Sequence, residues 1–584
     1  MTSLNYKPIA LIDSHIEELL LPSGANLFQA LVTMEKAKKF GLPPGLVLIV
    51  EGRNRLKGTL TDGDVRRAIM QGKTGQVAVD DIMARAPVVV RADTPMNGVL
   101  EAVHRQVEAL GRQMISYPIL VDGDHRVLGV IDLSRFMLAQ TWHWDKVAII
   151  GLGYAGLTLA VSLAEVGFQV VGWEADPRVR GNLQKGVSHV YEPGLESLLS
   201  AQLTDGRLTI AASDLAIRDC HVYIVTVSTP CLDGVPNLTF LRQAVQMTSD
   251  YLKAGDLIIL RSTVPVGTCR TLVKETIEGT TSLQVGSDIS IAFAPERTVE
   301  GRALEELRTL PQIIGGYDQW SLESASRIFN RLTSTVVNMK SLEEAELIKL
   351  INNASRDLSF AFANEIALIC EQYNHDAFKV IEAANLGYPR NTIASPSPGV
   401  GGSCLKKDPY FLSSLCPPHF PDLASVGRQI NELMPEQVCR RLTRALKEMG
   451  KLPGEARIFI LGFAFKGEPE TTDLRDSPTL QVVELLRGQV DRIMGFDPLV
   501  PSRDLEAAGI DWRSIEDGFS QVDAVLFMNN HREFSKLDVY KLIKTMKLPS
   551  VFFDGWHLFN PEEIEKIDGV RYMGLGYVTP WSKE

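Results

Sequence analysis

Cys404 ends a stretch rich in proline, glycine and serine, residues 395–404, and is followed at once by Leu405-Lys406-Lys407-Asp408. An isolated cysteine packs as a small hydrophobe by default. A thiol with two lysines and a carboxylate within four residues, after a glycine-rich loop, instead has the surroundings that favour a nucleophilic thiolate. Lys349 and Asn353 stand one turn apart in residues 341–371, which contain neither Gly nor Pro. A helix there places both on one face, where an ammonium and an amide can meet a common ligand; the bland alternative for Lys349 is a solvated lysine.

A second constellation concerns a nucleotide. Residues 146–150 read as a buried strand running directly into Gly151-Leu152-Gly153-Tyr154-Ala155-Gly156. A helix then leads to a second strand at 169–173 that ends in Glu174. Glycines in that context let the backbone approach a pyrophosphate at a helix N-terminus, and the terminal acid accepts from both ribose hydroxyls. A carboxylate there repels a 2′-phosphate, so the expected cofactor is NAD, not NADP. Further apolar strands end in Ser228-Thr229-Pro230, in Arg261-Ser262-Thr263-Val264-Pro265 and in Pro295-Glu296. Ligands of open parallel sheets bind at the carboxyl ends of strands, so Thr229, Thr263 and Glu296 are expected along one edge. Downstream, strands at 457–462, 492–496 and 524–528 form a second doubly wound pattern without the glycine triplet. In it, Lys466 and Arg475 lie beside a helix start, suited to a diphosphate or uridine, or else to steadying the turn.

The elements that must position these residues come from a chain of 584 residues with 45% hydrophobic and 22% charged residues, ordinary values for globular domains. Net charge is −11, against a general nucleic-acid binder. Residues 1–140 carry 16 Lys/Arg and 15 Asp/Glu, and the rest carry 44 and 56, so an anionic ligand there must be held by local amides and a few placed cations. Seven scattered cysteines without CxxC spacing give neither a disulfide framework nor a zinc site, and no metal is expected. Residues 147–164 are uncharged, but their glycines fit strand–turn–helix and not a membrane span. With acidic residues near the N-terminus, the expectation is a cytoplasmic protein that does not engage membranes.

Residues 1–140 read as two similar halves, each an apolar strand followed by a short strand entering a helix: 46–50 then 56–67, and 117–121 then 127–136. Thr61 and Asp64 sit at such a strand-to-helix junction, where they either cap the helix or meet a nucleotide's phosphate and ribose. This pattern, with Gly58 and Leu60, resembles tandem CBS domains, and the resemblance implies an adenine nucleotide at Thr61 and Asp64. The second copy has Asp132 and Arg135 at those positions, implying one occupied site per pair.

Residues 146 to about 580 resemble the nucleotide-sugar 6-dehydrogenase family, whose members oxidise UDP-glucose, GDP-mannose and UDP-N-acetylhexosamines. The motifs occur in family order: the NAD fingerprint, Ser262-Thr263-Val264-Pro265, Pro295-Glu296-Arg297, Lys349 with Asn353, Gly401-Gly402-Ser403-Cys404 with Asp408, and Phe465-Lys466 with Arg475. The resemblance implies an α/β chain in which a tandem CBS module (1–140) precedes two Rossmann-like doubly wound domains, NAD-binding (146–340) and UDP-sugar-binding (436–584), joined by a central helical domain (341–435). It implies four-electron oxidation of a sugar C6 alcohol to a carboxylate, for surface polysaccharide precursors, through a thiohemiacetal and thioester on Cys404. Lys349 and Asn353 then stabilise the oxyanion, Asp408 positions water or accepts a proton, and Thr263 and Glu296 hold water and substrate hydroxyls. Gly151, Gly153, Tyr154, Ala155, Gly156, Glu174, Thr229 and Thr263 are implied for NAD. Glu296, Arg297, Lys349, Asn353, Arg390, Gly401, Gly402, Lys466 and Arg475 are implied for the nucleotide sugar. A homodimer or larger homo-oligomer is implied as well.

Pro389-Arg390, Pro396 and residues 398–402 point to the UDP-N-acetylglucosamine or UDP-N-acetylmannosamine branch. Ser403, where that branch often has His, points to the glucose and mannose branches, and Lys406 stands where a smaller residue is usual. Two rivals remain from the residues alone: an adenine-nucleotide sensor on an inactive dehydrogenase scaffold, and a single-step alcohol dehydrogenase, which would not need Cys404.

Overall fold

The computed structural model describes residues 11–12, 15–40, 42–94, 98–111, 115–133, 145–232, 234–390 and 392–578. An eight-stranded sheet dominates the first half of the catalytic region. In space its strands run Leu208–Ile210, Gln169–Trp173, Lys146–Ile150, Val222–Val225, Leu257–Leu260, Ser290–Phe293, Gln312–Gly316 and Val336–Met339. All neighbours pair in parallel except Ser290–Phe293 with Gln312–Gly316. The first six follow the 3-2-1-4-5-6 order of a dinucleotide fold, and the order reverses between Lys146–Ile150 and Val222–Val225. Near-continuous Val, Ile, Leu and Ala in these strands follows from burial on both faces.

A seven-stranded sheet repeats that order near the C-terminus: Asp511–Trp512, Arg492–Phe496, Arg457–Leu461, Ala524–Phe527, Ser550–Asp554, Val570–Gly574 and Tyr577–Val578, the last antiparallel. Between the sheets runs the helix Leu342–Gln372, started by Ser341, whose hydroxyl accepts from Glu344 N–H (3.2 Å). Its 31 residues span about 46 Å. Helices Ser403–Ser413 and Leu423–Glu448 pack along it. The expected domain boundary at 435/436 falls inside Leu423–Glu448, which continues through Pro435. A proline removes one intrahelical bond, and here the Pro435 ring is buried against the open backbone of Gly399, where a Cβ would lie 3.2 Å from it.

The N-terminal halves build two small sheets, Leu20–Pro22, Leu46–Glu51 and Arg55–Thr61 in one, and Leu11–Ile12, Val127–Ile131, Ile119–Val121 and Val89–Arg91 in the other. Each contains an antiparallel hairpin with a register shift at the matching place, Ile49/Val50 and Leu120/Val121. The second half shares a core with the first Rossmann-like domain: Val99, Val103 and Val107 belong to one apolar cluster with Trp320, Ala325 and Phe329. Residues 134–144, Arg135 among them, lie outside the described residues. No helix among the described residues is long and apolar enough to cross a membrane.

Candidate active site

Two cavities meet at the edge where the first sheet's order reverses. The smaller, about 660 Å³, is lined by Gly151, Gly153, Trp173, Glu174, Phe240 and Met247 among others. The larger, about 1020 Å³, extends from Tyr154 and Ala155 to Cys404 and Arg475. They share Gly153, Thr226, Val227 and Ser228.

The smaller cavity fits a dinucleotide. Gly151 takes φ +91°, which turns the chain sharply from strand to helix. Gly156 is buried, and a Cβ there would lie 2.0 Å from Gly151 O. Gly153 is different: no atom lies within 4 Å of its would-be Cβ, so the space beside it is open to a ligand. It caps helix Tyr154–Glu165 with no side chain in the way, leaving first-turn amides for a phosphate. At the far end Glu174 accepts from Leu152 N–H (2.8 Å) and Asp176 N–H (3.1 Å). Each carboxylate oxygen keeps a lone pair for a ribose hydroxyl.

The larger cavity gathers groups from all three catalytic segments. Cys404 lies in the first turn of helix Ser403–Ser413, one residue further into the helix than a loop-borne thiol, and its side chain is exposed. The helix dipole favours negative charge at that turn. Across the cavity is Lys349, only 6% exposed. Among the described residues no hydrogen bond or ion pair within the chain engages its amine. Asn353, one turn on, donates to Asp408 Oδ2 (2.5 Å), while Lys407 donates to Asp408 Oδ1 (2.9 Å) and reaches Thr229 Oγ1 (3.4 Å). Thr229 in turn donates to Thr263 O (2.5 Å). Asp408 is fully buried, so Asn353 and Lys407 supply the solvation that water cannot.

Glu296 sits beside Lys349 with Arg261 against one oxygen (2.7 Å) and Thr298 N–H on the other (2.8 Å). Burial pushes its carboxyl up, but Arg261, the Thr298 amide and Lys349 together outweigh it and hold the group below the usual range. Glu296 is therefore a carboxylate at neutral pH. Arg475 lines the same cavity, fixed by Asp473 (2.6 Å). Lys466 lies just behind it, donating to Glu300 O (2.6 Å), and burial lowers its amine to about 8.

Other expected substrate residues lie away from the lining. Arg297 donates to Pro311 O. Arg390 is exposed, its guanidinium 5.3 Å from the Tyr388 ring. Gly401 and Gly402 were expected to admit a ligand; instead they admit the third domain. A Cβ on Gly402 would lie 2.8 Å from Phe465, and one on Gly401 2.6 Å from Pro478. In the N-terminal region Thr61 and Asp64 form a reciprocal capping box on helix Asp62–Met70, and Asp64 pairs with Arg67 (2.5 Å). Sequence reasoning missed Lys407 and Arg261. Lys407 was seen only as part of a charged run. Arg261 was visible as a cation ending an apolar strand. It also missed Glu346, which accepts from Gly267 and Cys269 N–H (2.5 and 2.9 Å) and so ties the Thr263 loop to the helix carrying Lys349.

Comparison with known proteins agrees with this geometry. Residues 145–333, 343–432 and 459–561 match the NAD-binding, central and UDP-binding domains of the UDP-glucose/GDP-mannose dehydrogenase family, and residues 79–140 match the CBS domain. The UDP-N-acetyl-D-mannosamine dehydrogenase of Pyrococcus horikoshii is 33% identical over 431 residues, 74% of this chain and 99% of that protein. The NDP-N-acetyl-D-galactosaminuronic acid dehydrogenase of Ralstonia nicotianae is 31% identical over 68% of this chain and 93% of its own length. A solved structure of the UDP-D-ManNAc dehydrogenase from Pyrococcus horikoshii superposes with a TM-score of 0.68 at 32% identity, covering 74% of this chain and 99% of that one. The chain belongs to the UDP-glucose/GDP-mannose dehydrogenase family and is an NAD-dependent nucleotide-sugar dehydrogenase with an N-terminal CBS domain.

Proposed function

We propose that this chain oxidises the C6 alcohol of UDP-N-acetylglucosamine or UDP-N-acetylmannosamine to the carboxylate. One observation carries the reaction: an exposed thiol at a helix start lines a cavity shared with a nearly buried lysine whose amine makes no hydrogen bond or ion pair among the described residues. The names of the relatives above support the N-acetylhexosamine.

NAD, when bound along Gly153 and Glu174, supplies the hydride acceptor for each of two oxidations. Lys349 lies where its charge stabilises negative oxygen at C6, often the largest catalytic contribution in a dry site. Cys404 adds its sulfur to the C6 aldehyde, forming a C–S bond and a thiohemiacetal. The second oxidation leaves a thioester on Cys404. Water then attacks the acyl carbon, the C–S bond breaks, the sulfur leaves as the thiol with a proton from that water, and the uronate is released; Asp408, held by Asn353, acts on this step through Lys407, which lines the cavity. Thr263 and Glu296 hold the water and a sugar hydroxyl. Arg475 is the cation on the cavity wall for the diphosphate, and Lys466, joined to it through Glu300, adds its charge from behind.

Ile351, Phe362, Ile369 and Tyr373 are exposed along one side of the long helix, which supports a homodimer through that helix. An adenine nucleotide at the N-terminal module has to compete with the Thr61–Asp64 cap and the Arg67 pair. The test is NADH release with UDP-N-acetylglucosamine, UDP-N-acetylmannosamine, UDP-glucose and GDP-mannose. The reading expects two NADH per sugar from an N-acetylhexosamine and at least tenfold lower kcat/KM for the other two sugars. Preference for UDP-glucose or GDP-mannose overturns the substrate assignment, and one NADH per sugar overturns the thioester route.

A further inference from the structure

Arg261 follows the strand Leu257–Leu260 and is only 2% exposed, yet no element of the mechanism above uses it. Its Nε and Nη1 are hydrogen-bonded within the protein, while Nη2 is buried beside Glu296 as an ion pair without a hydrogen bond among the described residues. Nε donates to Glu296 Oε2 (2.9 Å), and Nη2 lies 2.7 Å from the same oxygen. Nη1 donates to Ala294 O (3.1 Å) and Gln312 Oε1 (3.2 Å). Its central carbon lies 5.2 Å from the buried Phe329 ring. Phe329 belongs to the cluster that also holds Val99, Val103 and Val107 of the N-terminal module. A cation buried this deeply is costly unless paired, and breaking such a pair strands the partner charge. The surroundings therefore fix Arg261, and Arg261 in turn fixes one oxygen of Glu296.

We propose that Arg261 is a positioning residue for the oxidation: through the Glu296 Oε2 contact it keeps that carboxylate ionised and oriented at the substrate cavity. The proposal rests on the reaction proposed above, in which Glu296 holds the water and a sugar hydroxyl. Arg261 and Lys349 are the cations acting on Glu296, with Arg297 next in the chain; Glu300, Cys404 and Arg475 are other titratable groups of the cavity. Burial is the largest influence on Glu296 and acts upward; Arg261 is the largest acting downward. Without Arg261 burial prevails, and the carboxylate is protonated at a higher pH.

The experiment is the pH profile of kcat/KM for NADH release by Arg261→Met and Arg261→Lys. The acid limb of that profile reports the free enzyme. Arg261→Met is expected to move the acid limb upward by roughly one pH unit or more. Activity then falls at least tenfold at neutral pH and recovers toward alkaline pH. Arg261→Lys, which retains the charge, is expected to move the limb by less than half as much. A purely structural role would lower activity at every pH and leave the limb in place. If Arg261→Met does not fold, Arg261→Gln, which keeps a donor, carries the same expectation. An unmoved limb in a folded variant overturns the proposal. Wild-type stoichiometry is read separately, so an unmoved limb with two NADH per sugar refutes Arg261's role alone.

Discussion

The two Rossmann-like domains share strand order and the first turn, yet only one forms a dinucleotide cradle. In both, a glycine ends the first strand with φ near +90°, Gly151 and Gly462, and its N–H donates to the end of the second strand, Trp173 O (2.8 Å) and Phe496 O (2.9 Å). In both, the second strand is followed by an acid, Glu174 or Asp497. The domains then part. In the first, the turn enters helix Tyr154–Glu165 within three residues, Gly153 opens onto the cavity, and Glu174 accepts two amides from an open position. In the second, no helix starts until Pro478, and the intervening loop crosses to the first domain, where Lys466 and Thr471 bond Glu300. Asp497, 4% exposed, accepts from the amides of Phe463, Ala464, Leu499 and Val500. A strand-end acid serves a ligand when the chain leaves its oxygens room, and serves the fold when the chain takes them all.

The largest expected effect separates those two acids. Asp497→Ala leaves four amides, three of them buried, without an acceptor, a loss of about 3 kcal/mol or more, and calorimetry should show a transition lowered by about 10 °C. NAD affinity should stay within twofold; a comparable fall in NAD affinity would break the comparison. The Cβ of Gly153→Val meets no protein atom within 4 Å, so the variant should fold normally, yet its side chain enters the cradle, so NAD affinity should fall roughly 100-fold by titration. Unchanged affinity would place the cofactor elsewhere. Glu174→Ala should narrow the NAD-over-NADP preference in kcat/KM about tenfold with a small change in stability; an unchanged ratio would mean that Glu174 acts only on the Leu152 turn. The smallest effect concerns Lys466. Burial lowers its amine to about 8, so it is charged below and neutral above that pH in the free enzyme. KM for the nucleotide sugar should be flat at pH 6–7 and rise severalfold by about pH 9. Lys466→Met should abolish the rise, and a KM that falls with pH would contradict the assignment.

The dinucleotide cradle was legible because its signals are short-range. Strand, turn glycine, helix start and acid lie within thirty residues, and each has a local cause. The long helix was legible for a related reason, since residues 341–371 contain neither Gly nor Pro. Gly401 and Gly402 were misread because the groups that need their missing side chains, Phe465 and Pro478, come from the third domain. The boundary expected at 435/436 falls inside a helix because Pro435 is accommodated by Gly399, which arrives from a distant loop. Arg261 and Glu296 are separated by 35 positions and meet only because adjacent parallel strands align their ends. Pairings of this kind depend on sheet order, which spacing along the chain does not encode.

The central claim is that Cys404 carries the sugar through the second oxidation. Its most direct test is NADH released per UDP-N-acetylhexosamine, measured under single-turnover conditions, by wild type and by Cys404→Ser. Wild type should release two NADH with the uronate as product. Cys404→Ser should fold and bind NAD normally but form no net uronate, because a serine ester lacks the thiolate leaving group that water displaces. Release of two NADH per sugar by Cys404→Ser, at the wild-type rate, would contradict the covalent account.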